Sequence, residues 1–339
     1  MRAIVHERTG GPEVLHLVER DAPEPAEGEV VVRIAVSGVN PTDWKTRAGK
    51  QPGDPLAFPE VVPNQDGAGT VVAVGEGVDP ARVGERVWVW EAAWERAGGT
   101  AQELVALPSA KAVALPGEAS FDLGASLGIP ALTAHRTLTV GAHAPSALGP
   151  DALRGTTVLV AGGAGAVGHA AIELARWSGA TVVTTVSSPG KEALARAAGA
   201  EHVVNYREPG AAEAVRAVAP DGVDLVVEVA SVANSALDLD VLAESGTVAV
   251  YASENEPLAL PTRRCMRLNA RYQFVFVYTV PREAKARAVE DVSRAVAAGV
   301  LRVGEGAGLP LHRFALERTA DAHAAVEAGA VGKVLIDVG

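Results

Sequence analysis

The middle of the chain alternates short apolar runs with segments in which apolar residues recur at helical spacing. The first run, from Thr157 to Ala161, is β-branched and apolar, as expected for a strand buried on both faces of a parallel sheet. From about Ala166 the apolar positions follow a helical period. Further elements are predicted in the order strand Thr181 to Val186, helix Lys191 to Ala198, and strands His202 to Asn205, Leu225 to Val229 and Thr247 to Tyr251. This alternation predicts an α/β fold with a doubly wound parallel sheet.

The residues on either side of this region follow another pattern, with short β runs separated by Gly and Pro. Ahead of it, strands are predicted at Ala3 to His6, Val30 to Ser37, Thr70 to Val74 and Arg86 to Trp90. After it come a helix-like stretch, Thr319 to Ala328, and an apolar run, Lys333 to Val338. We expect the last run to return to the first domain and complete its sheet. The pattern therefore predicts a separate β-rich domain.

Three glycines, Gly162, Gly165 and Gly168, separate the first α/β strand from its helix. Such glycines permit a tight turn, let the backbone approach a pyrophosphate and allow the helix to pack closely on the sheet. The first N–H groups of the helix also attract an anion. The segment therefore predicts a dinucleotide-binding βα unit. Because the spacing is GxxGxxG instead of the commoner GxGxxG, the alternative is a glycine-rich turn that binds nothing.

The end of the second α/β strand indicates which dinucleotide is preferred. NAD-binding proteins carry an acidic residue about 20 positions beyond the glycines, where it binds the adenosine ribose. Here the sequence is Ser187-Ser188-Pro189-Gly190-Lys191, and no carboxylate precedes Glu192. Two hydroxyls and a cation suit a 2′-phosphate, which predicts a preference for NADPH. The alternative is a solvated Lys191 that begins an ordinary helix.

Composition limits the class of protein. The 339 residues suffice for two domains, and a hydrophobic share of 48% gives ample core. No apolar run approaches the ~20 residues that span a bilayer, and the start, MRAIVHERTGG, lacks a signal-peptide core. The single cysteine, Cys265, excludes an intrachain disulfide framework, so a cytoplasmic location is expected. The net charge of −11 argues against nucleic acid or an anionic membrane as a partner.

An ordered series of short motifs runs along almost the whole chain. It comprises Asn40-Pro41-Thr42-Asp43, Asp66-Gly67-Ala68-Gly69, Gly84-Glu85-Arg86-Val87, Ala131-Leu132-Thr133-Ala134, the glycine turn, Asn205-Tyr206-Arg207 and Gly332-Lys333. The series resembles the medium-chain dehydrogenase/reductase superfamily, and within it the zinc-free quinone oxidoreductases, or zeta-crystallin-like family. The resemblance implies a Rossmann NADPH-binding domain, 128–299, and a GroES-like catalytic domain formed by 1–127 and 300–339.

The chain lacks the metal ligands of the zinc enzymes in this superfamily. Those enzymes place a Cys where Asn40 aligns and a His-Glu pair where this chain has Gln65-Asp66. With one cysteine in the chain, neither that catalytic site nor a four-cysteine structural site can be built. The histidines show no HxxxH or HExxH spacing, so no metal is expected.

In the zinc enzymes a Lewis acid lowers the pKa of the alcohol, and without it ordinary alcohol dehydrogenation is not activated. An electron-poor acceptor can instead take hydride directly from nicotinamide. The resemblance places Asn40 and Thr133 near the nicotinamide, with Asn40 able to donate to a substrate carbonyl. It places Trp44 and Lys45 at the wall of the substrate cleft, where an indole suits a flat quinone ring. The alternatives are that Asn40 only shapes a turn before Pro41 and that Trp44 only packs between domains.

The resemblance also assigns the cofactor pocket. Lys191 and Tyr206 match a pair that clasps the 2′-phosphate. Lys333 matches a position that can reach the cofactor, or it is a surface charge that opens a strand. The full predicted set is Gly162, Ala164, Gly165, Ala166, Val167, Gly168, Ser187, Ser188, Lys191, Tyr206, Ala230, Ser231, Tyr251, Ala252, Ser253, Phe276, Val277 and Lys333.

A long aromatic and β-branched run, Tyr272 to Val280, ends in Pro281. In the family the corresponding strand pairs with its twofold copy and joins two Rossmann sheets. The resemblance therefore implies a homodimer.

Three functions remain open from the sequence. The first is an NADPH-dependent quinone oxidoreductase that works without zinc, and the second is an NADPH-dependent enone or alkenal reductase. The third is a non-catalytic NADPH-binding or RNA-binding module, against which the acidic net charge and the retained Asn40 and Thr133 argue.

Overall fold

The structure is a computed structural model that describes residues 1–141, 143–253 and 256–339. It divides into two compact units, one formed by Met1–Ile129 with Pro310–Gly339 and the other by Pro130–Leu309. Residues 300–309, which the sequence assigned to the first domain, lie instead in the second unit. Arg302 there pairs with Glu173, with 2.9 Å between Nε and Oε1, and so ties this segment to the α/β region.

The strands of the described residues are β1 (Arg2–Val5), β2 (His16–Glu19), β3 (Glu29–Val39), β4 (Asp66–Val74), β5 (Arg86–Val89), β6 (Leu104–Pro108), β7 (Ala112–Ala114), β8 (Thr157–Ala161), β9 (Thr181–Val186), β10 (His202–Asn205), β11 (Val223–Glu228), β12 (Leu242–Val250), β13 (Arg271–Phe274), β14 (Leu311–Ala315) and β15 (Lys333–Asp337). The α-helices are α1 (Pro41–Ala48), α2 (Phe121–Leu138), α3 (Ala166–Trp177), α4 (Pro189–Ala197), α5 (Ala211–Val218), α6 (Ser231–Val241), α7 (Thr262–Leu268), α8 (Arg282–Ala297) and α9 (Thr319–Glu327). Among the residues described, no helix combines the length and apolar character needed to cross a bilayer.

The first unit is built on a mostly antiparallel sheet in the order β14-β15-β3-β4-β5-β7, with β6 also paired to β3. The strand β15 runs parallel to β14 and antiparallel to β3, with Leu335 opposite Gly38. Alternate residues of these strands, such as Ile34, Val334 and Ile336, fill one apolar core. The prediction that the C-terminal run completes the sheet of the first domain is therefore confirmed.

The second unit contains a parallel sheet in the order β10-β9-β8-β11-β12-β13. The chain order reverses between β8 and β11, as in a doubly wound Rossmann sheet, and the predicted fold class is confirmed. Val158, Val183 and Val226 are fully buried in these strands. Because all six strands are parallel, the segments that follow them emerge at one edge of the sheet.

The run Tyr272 to Val280 differs from the expectation of one long strand. Its strand, β13, ends at Phe274, and a single helical turn follows at Val277–Thr279. Val277 and Tyr278 are both buried.

A helix that the sequence pattern did not predict, α1, begins directly after Asn40. Its sequence, PTDWKTRA, is polar and carries no clear apolar stripe. Pro41 supplies a favourable first position, and the Asp43 carboxylate accepts the Asn40 N–H at 2.7 Å. Asn40 therefore caps a helix, where the alternative interpretation of this residue was that it shapes a turn before Pro41.

Candidate functional site

The glycine turn follows β8 in the second unit and has the backbone geometry that the sequence predicted. Gly162 has a φ of 71°, a backbone conformation that residues other than glycine rarely adopt. Its N–H donates to Thr185 O at 3.1 Å, which ties the turn to β9. The helix α3 begins at Ala166, and the first N–H groups of a helix have no partner within the helix. They are available to an anion at this edge of the sheet.

The glycines of the turn serve different purposes. A Cβ at Gly168 would lie 2.5 Å from Gly162 O, and one at Gly163 would lie 2.2 Å from Thr184 Oγ1, so both allow close packing. A Cβ at Gly165 would meet only Gly162 O, at 3.4 Å, and would otherwise project into open space beside the start of α3. That bare backbone is the cradle that a diphosphate requires. The sequence analysis missed Gly163, although its position next to Gly162 was a visible signal.

The residues predicted to select the nucleotide lie at the ends of β9 and β10. Ser188 caps α4, and its Oγ accepts the N–H of Lys191 at 3.4 Å. Within the residues described, the Lys191 ammonium has no hydrogen-bond or ion-pair partner. Tyr206 is exposed, and its N–H donates to Val186 O at 3.1 Å, which holds it beside the end of β9. Ser187 and Ser188 follow β9 and Tyr206 follows β10, so the structure brings all three to the carboxyl edge of the sheet. Lys191 lies beside them in the first turn of α4.

The other predicted cofactor segments follow the remaining strands of the same sheet. Ala230 and Ser231 come after β11, Tyr251 directly follows β12, and Phe276 and Val277 come shortly after β13. Ala252 and Ser253 belong to the segment after β12. All these segments share the carboxyl edge with the glycine turn, which is the edge where doubly wound sheets bind ligands.

A buried pair of acids supports the segment after β11. Glu228 accepts the Ala230 N–H, and Asn234 Nδ2 donates to its two oxygens at 3.0 and 3.2 Å. Burial, together with the charge of Glu228, raises the pKa of Asp238 to about 9. Asp238 therefore keeps a proton at neutral pH and donates it in a hydrogen bond to Glu228. Nothing in the sequence pattern indicated this pair.

The first unit contains a second group of polar side chains, around the start of α1. Asn40, Asp43, Asp66 and Lys333 are each at most 4% exposed. Asp43 links two segments, because its oxygens accept the N–H of Asn40 at 2.7 Å and that of Gln65 at 3.1 Å. Burial, and then the charge of Asp66, raises the pKa of Asp43 to about 7.

The amide of Asn40 is held between opposite charges. Its Nδ2 donates to Asp66 Oδ2 at 2.7 Å, and its Oδ1 accepts from Lys333 Nζ at 2.7 Å. Lys333 Nζ also lies 3.7 Å from Asp66 Oδ2. Burial lowers the pKa of Lys333 and raises that of Asp66, although each charge favours the other. Lys333 opens β15 and is buried, so the alternative interpretation of a surface charge at this position is wrong, whereas a contact with the cofactor stays a prediction.

A hydrogen-bonded chain of uncharged groups lies next to this cluster. Thr100 Oγ1 donates to Asp66 O at 2.6 Å and lies 2.7 Å from Ser37 Oγ. Asn64 Nδ2 donates to Ser37 Oγ at 3.0 Å, and His323 Nε2 lies 2.9 Å from Asn64 Oδ1. Burial lowers the pKa of His323 to about 3, which keeps its ring neutral. These groups fix the segment that carries Asp66, and sequence reasoning had assigned none of them a role.

The remaining predicted catalytic residues are distributed over the two units. Trp44 and Lys45 lie on α1, where Trp44 is half-buried and the Lys45 ammonium lies 5.9 Å from the centroid of its ring. Thr133 lies on the part of α2 that belongs to the second unit, where it is buried. Trp44 and Lys45 thus lie on the helix that Asn40 caps. Lys333, from the C-terminal strand, also contacts Asn40.

The donor set of the cluster does not suit a zinc ion. It offers an amide and carboxylates without thiolate or imidazole, and its cation is the ammonium of Lys333. Across the described ranges, no group of three or more His, Cys, Asp and Glu side chains could hold a metal ion.

Two family models match the chain. A model described as an alcohol dehydrogenase GroES-like domain matches residues 26–117, and one described as a zinc-binding dehydrogenase matches residues 166–294. The quinone oxidoreductase of Lama guanicoe is 31% identical over 340 residues, which cover 99% of this chain and 97% of that protein.

Solved structures resemble the chain along its whole length. An NAD-dependent alcohol dehydrogenase superposes with a TM-score of 0.84 at 28% identity, and the match covers 100% of both chains. The Escherichia coli quinone oxidoreductase in complex with NADPH superposes with a TM-score of 0.81 at 25% identity, covering 99% of this chain and 100% of that one.

Proposed function

Because this chain belongs to the quinone oxidoreductase family of the medium-chain dehydrogenase/reductase superfamily, we propose that it is an NADPH-dependent quinone oxidoreductase that works without zinc. The observation that carries the proposal is the amide of Asn40, held between Lys333 and Asp66 where zinc enzymes of the superfamily place a metal ligand. The site thus contains a polar donor and a cation that belong to the chain itself.

The carboxyl edge of the second unit's sheet fits the dinucleotide. The bare backbone at Gly165 and the first N–H groups of α3 hold the diphosphate. Lys191, with Ser187, Ser188 and Tyr206, would hold the 2′-phosphate of NADPH, because the Lys191 ammonium has no partner among the residues that the structure describes. A Lys–phosphate hydrogen bond contributes about 1.5 to 3 kcal/mol, which supports NADPH over NADH.

Bound NADPH supplies a hydride to an acceptor that can spread the resulting charge onto its own oxygen. The Asn40 amide donates a hydrogen bond to the carbonyl oxygen of that acceptor and favours the charge that develops there. Thr133 stays a predicted contact of the nicotinamide. Trp44 and Lys45 stay predicted contacts of the acceptor.

The donor at Asn40 serves an enone as well as a quinone, because both present a carbonyl oxygen conjugated to the position that receives hydride. An NADPH-dependent enone or alkenal reductase is therefore the second candidate function. The choice between the two depends on the acceptor that is reduced with the highest kcat/KM.

The proposal is tested by following NADPH oxidation with quinones, enones, alkenals and simple aldehydes, with NADH in parallel. We expect quinone reduction by NADPH that persists after chelator treatment and falls about 10²-fold in kcat in Asn40→Ala, as for other lost carbonyl donors. A protein that binds NADPH and reduces none of the acceptors would refute the enzyme and favour the binding module.

We further propose that the protein forms a homodimer through β13, the edge strand of the parallel sheet. Phe274 on this strand is 63% exposed, and Phe276 just beyond it is 54% exposed. Pairing of β13 with a second copy would satisfy the open strand edge and cover apolar side chains.

A further inference from the structure

The side-chain amide of Asn40 can take only one of its two orientations. An ammonium has donors alone, so Lys333 must face the amide oxygen, and Asp66 must face the amide nitrogen. Rotating the amide by half a turn would place its N–H groups against the ammonium and its oxygen against the carboxylate. Both contacts are buried, so water cannot relieve the mismatch.

This arrangement uses one of the two hydrogens on Asn40 Nδ2. The bond to Asp66 takes the first, and among the described residues no acceptor binds the second. Asn40 therefore presents a single N–H of fixed direction. The ammonium on its oxygen also draws electron density away from the nitrogen, which makes the remaining N–H a stronger donor.

The fold is shaped to bring Lys333 to this place. Lys333 lies at the start of β15, next to β3, and a Cβ at Gly38 on β3 would lie 3.1 Å from Lys333 Cε and 2.1 Å from Ala125 O. Asp66 is held in turn by the N–H of Ile129, which lies 3.0 Å from both carboxylate oxygens. The Asp66 carboxylate is thus fixed by a main-chain donor, and the absence of a side chain at Gly38 leaves room for the Lys333 side chain.

We propose that Lys333 and Asp66 are positioning residues that fix and polarise the Asn40 amide, so that its remaining N–H is aimed at the carbonyl oxygen of the acceptor. The inference rests on the proposed function of Asn40. It gives Lys333 a role in the first unit that differs from the predicted contact with the cofactor.

A double-mutant cycle on Lys333→Met and Asn40→Ala separates positioning from stability. In the wild-type background, Lys333→Met lowers kcat at least about tenfold, since loss of alignment of a catalytic group has effects of this size. In the Asn40→Ala background it lowers kcat less than twofold, because the amide that it positions is gone. Independent losses in the two backgrounds, or an unchanged kcat, would overturn the proposal.

The same variant separates positioning from cofactor binding. The Kd for NADPH, measured by fluorescence titration, stays within about twofold of wild type in Lys333→Met, a change below 0.5 kcal/mol. A tenfold rise in this Kd would assign Lys333 to the cofactor and overturn the proposal. Lys111→Met is the matched control, because Lys111 lies in the same unit and donates to a main-chain oxygen, that of Glu91, at 2.8 Å.

Lys333→Met leaves the Asp66 carboxylate buried without its counter-ion and risks misfolding. The double variant Lys333→Met/Asp66→Asn removes both charges and is expected to show the same loss of kcat and the same retained Kd. Asp66→Asn alone is expected to lower kcat too. The new amide at position 66 can donate as well as accept, so it no longer forces the Asn40 amide into one orientation.

A spectrum of the free protein distinguishes failure of this inference from failure of the proposed function. With ¹⁵N-labelled asparagine side chains, the Asn40 amide signal is identified by its loss in Asn40→Ala. We expect one sharp pair of N–H signals, from the two hydrogens of Asn40 Nδ2, in wild type and a shifted or broadened pair in Lys333→Met. An unchanged signal would refute positioning, whereas a wild type without quinone reductase activity would refute the function alone.

Discussion

Gly128 packs directly against the carboxylate of Asp66, and a Cβ at Gly128 would lie 2.0 Å from Asp66 Oδ1. The contact joins α2 to the start of β4 in the first unit. The neighbouring N–H of Ile129 donates to the same carboxylate at 3.0 Å. A side chain at position 128 would therefore displace one of the charges that face Asn40.

Gly128→Ala is expected to lower the free energy of unfolding by about 1–3 kcal/mol, because the added methyl group overpacks a site closed by main chain. It should lower kcat as well, since Asp66 must move. Gly306→Ala is the control, because Gly306 lies in a short helical turn and a Cβ there meets nothing within 4 Å. Urea titrations of the two variants measure the difference, and equal stabilities would contradict the steric account.

Lys191→Ala is expected to raise the KM for NADPH roughly ten- to a hundredfold, from the loss of one charged hydrogen bond. The KM for NADH should change little, because NADH has no 2′-phosphate. Arg196→Ala on the same helix is the control, since Arg196 pairs with Glu192 at 2.8 Å. Initial rates with both nucleotides decide the matter, and an equal rise in both KM values would count against a phosphate contact.

The proton held by Asp238 predicts that the stability of the protein falls as the pH rises from the acidic range through neutrality. The pKa of this group is about 9 in the folded chain and 3.8 in a model compound. Its contribution to stability is therefore complete at low pH and declines as the pH rises from about 4 towards 9, by up to about 1.4 kcal/mol per pH unit.

Asp238→Asn should flatten this decline, because the amide can still donate to Glu228 and has no proton to lose. Urea unfolding at pH 6 and pH 9 tests the difference in slope. Asp240→Asn, exposed on the same helix, serves as the control. A wild type whose stability is the same at both pH values would show that the pair does not carry the proton.

Chelator treatment is expected to leave quinone reduction unchanged, and added zinc should not increase it. The physical reason is that Lys333 already supplies the positive charge beside Asp66. Activity is measured after dialysis against a strong chelator, with the metal content determined in parallel. Loss of activity on dialysis, restored by zinc, would show that a metal ion takes part.

Phe274→Lys is expected to convert a dimer to a monomer, because the charge would be buried against a second copy of β13. Light scattering across micromolar concentrations measures the molar mass. Leu17→Lys, at a side chain 42% exposed on β2, is the control. A wild-type monomer over the whole range would refute the proposed interface.

The sequence predicted the second unit better than the first, for physical reasons. The bounds of β8 and β9 match the prediction, because buried parallel strands are nearly continuous apolar runs with clear ends. The bounds of β10, a half-buried strand at the edge of the sheet, match as well. In the first unit the sequence did not predict α1, because this helix has no clear apolar stripe. It is held by its N-terminal cap and by contacts with residues distant in the chain, such as Gln65. The role of Lys333 could not be predicted, because a lone lysine at the start of a strand does not reveal a buried carboxylate opposite it.

The place of β15 in the first unit bears on how the protein is made. This strand separates β14 from β3 and carries Lys333, yet it is translated after every residue of the second unit. On the ribosome the nucleotide-binding half can therefore fold while the sheet around Asn40 still has a gap. Lys333 can reach Asp66 only after β15 has been synthesised and has entered the sheet, so the cluster around Asn40 cannot form before then.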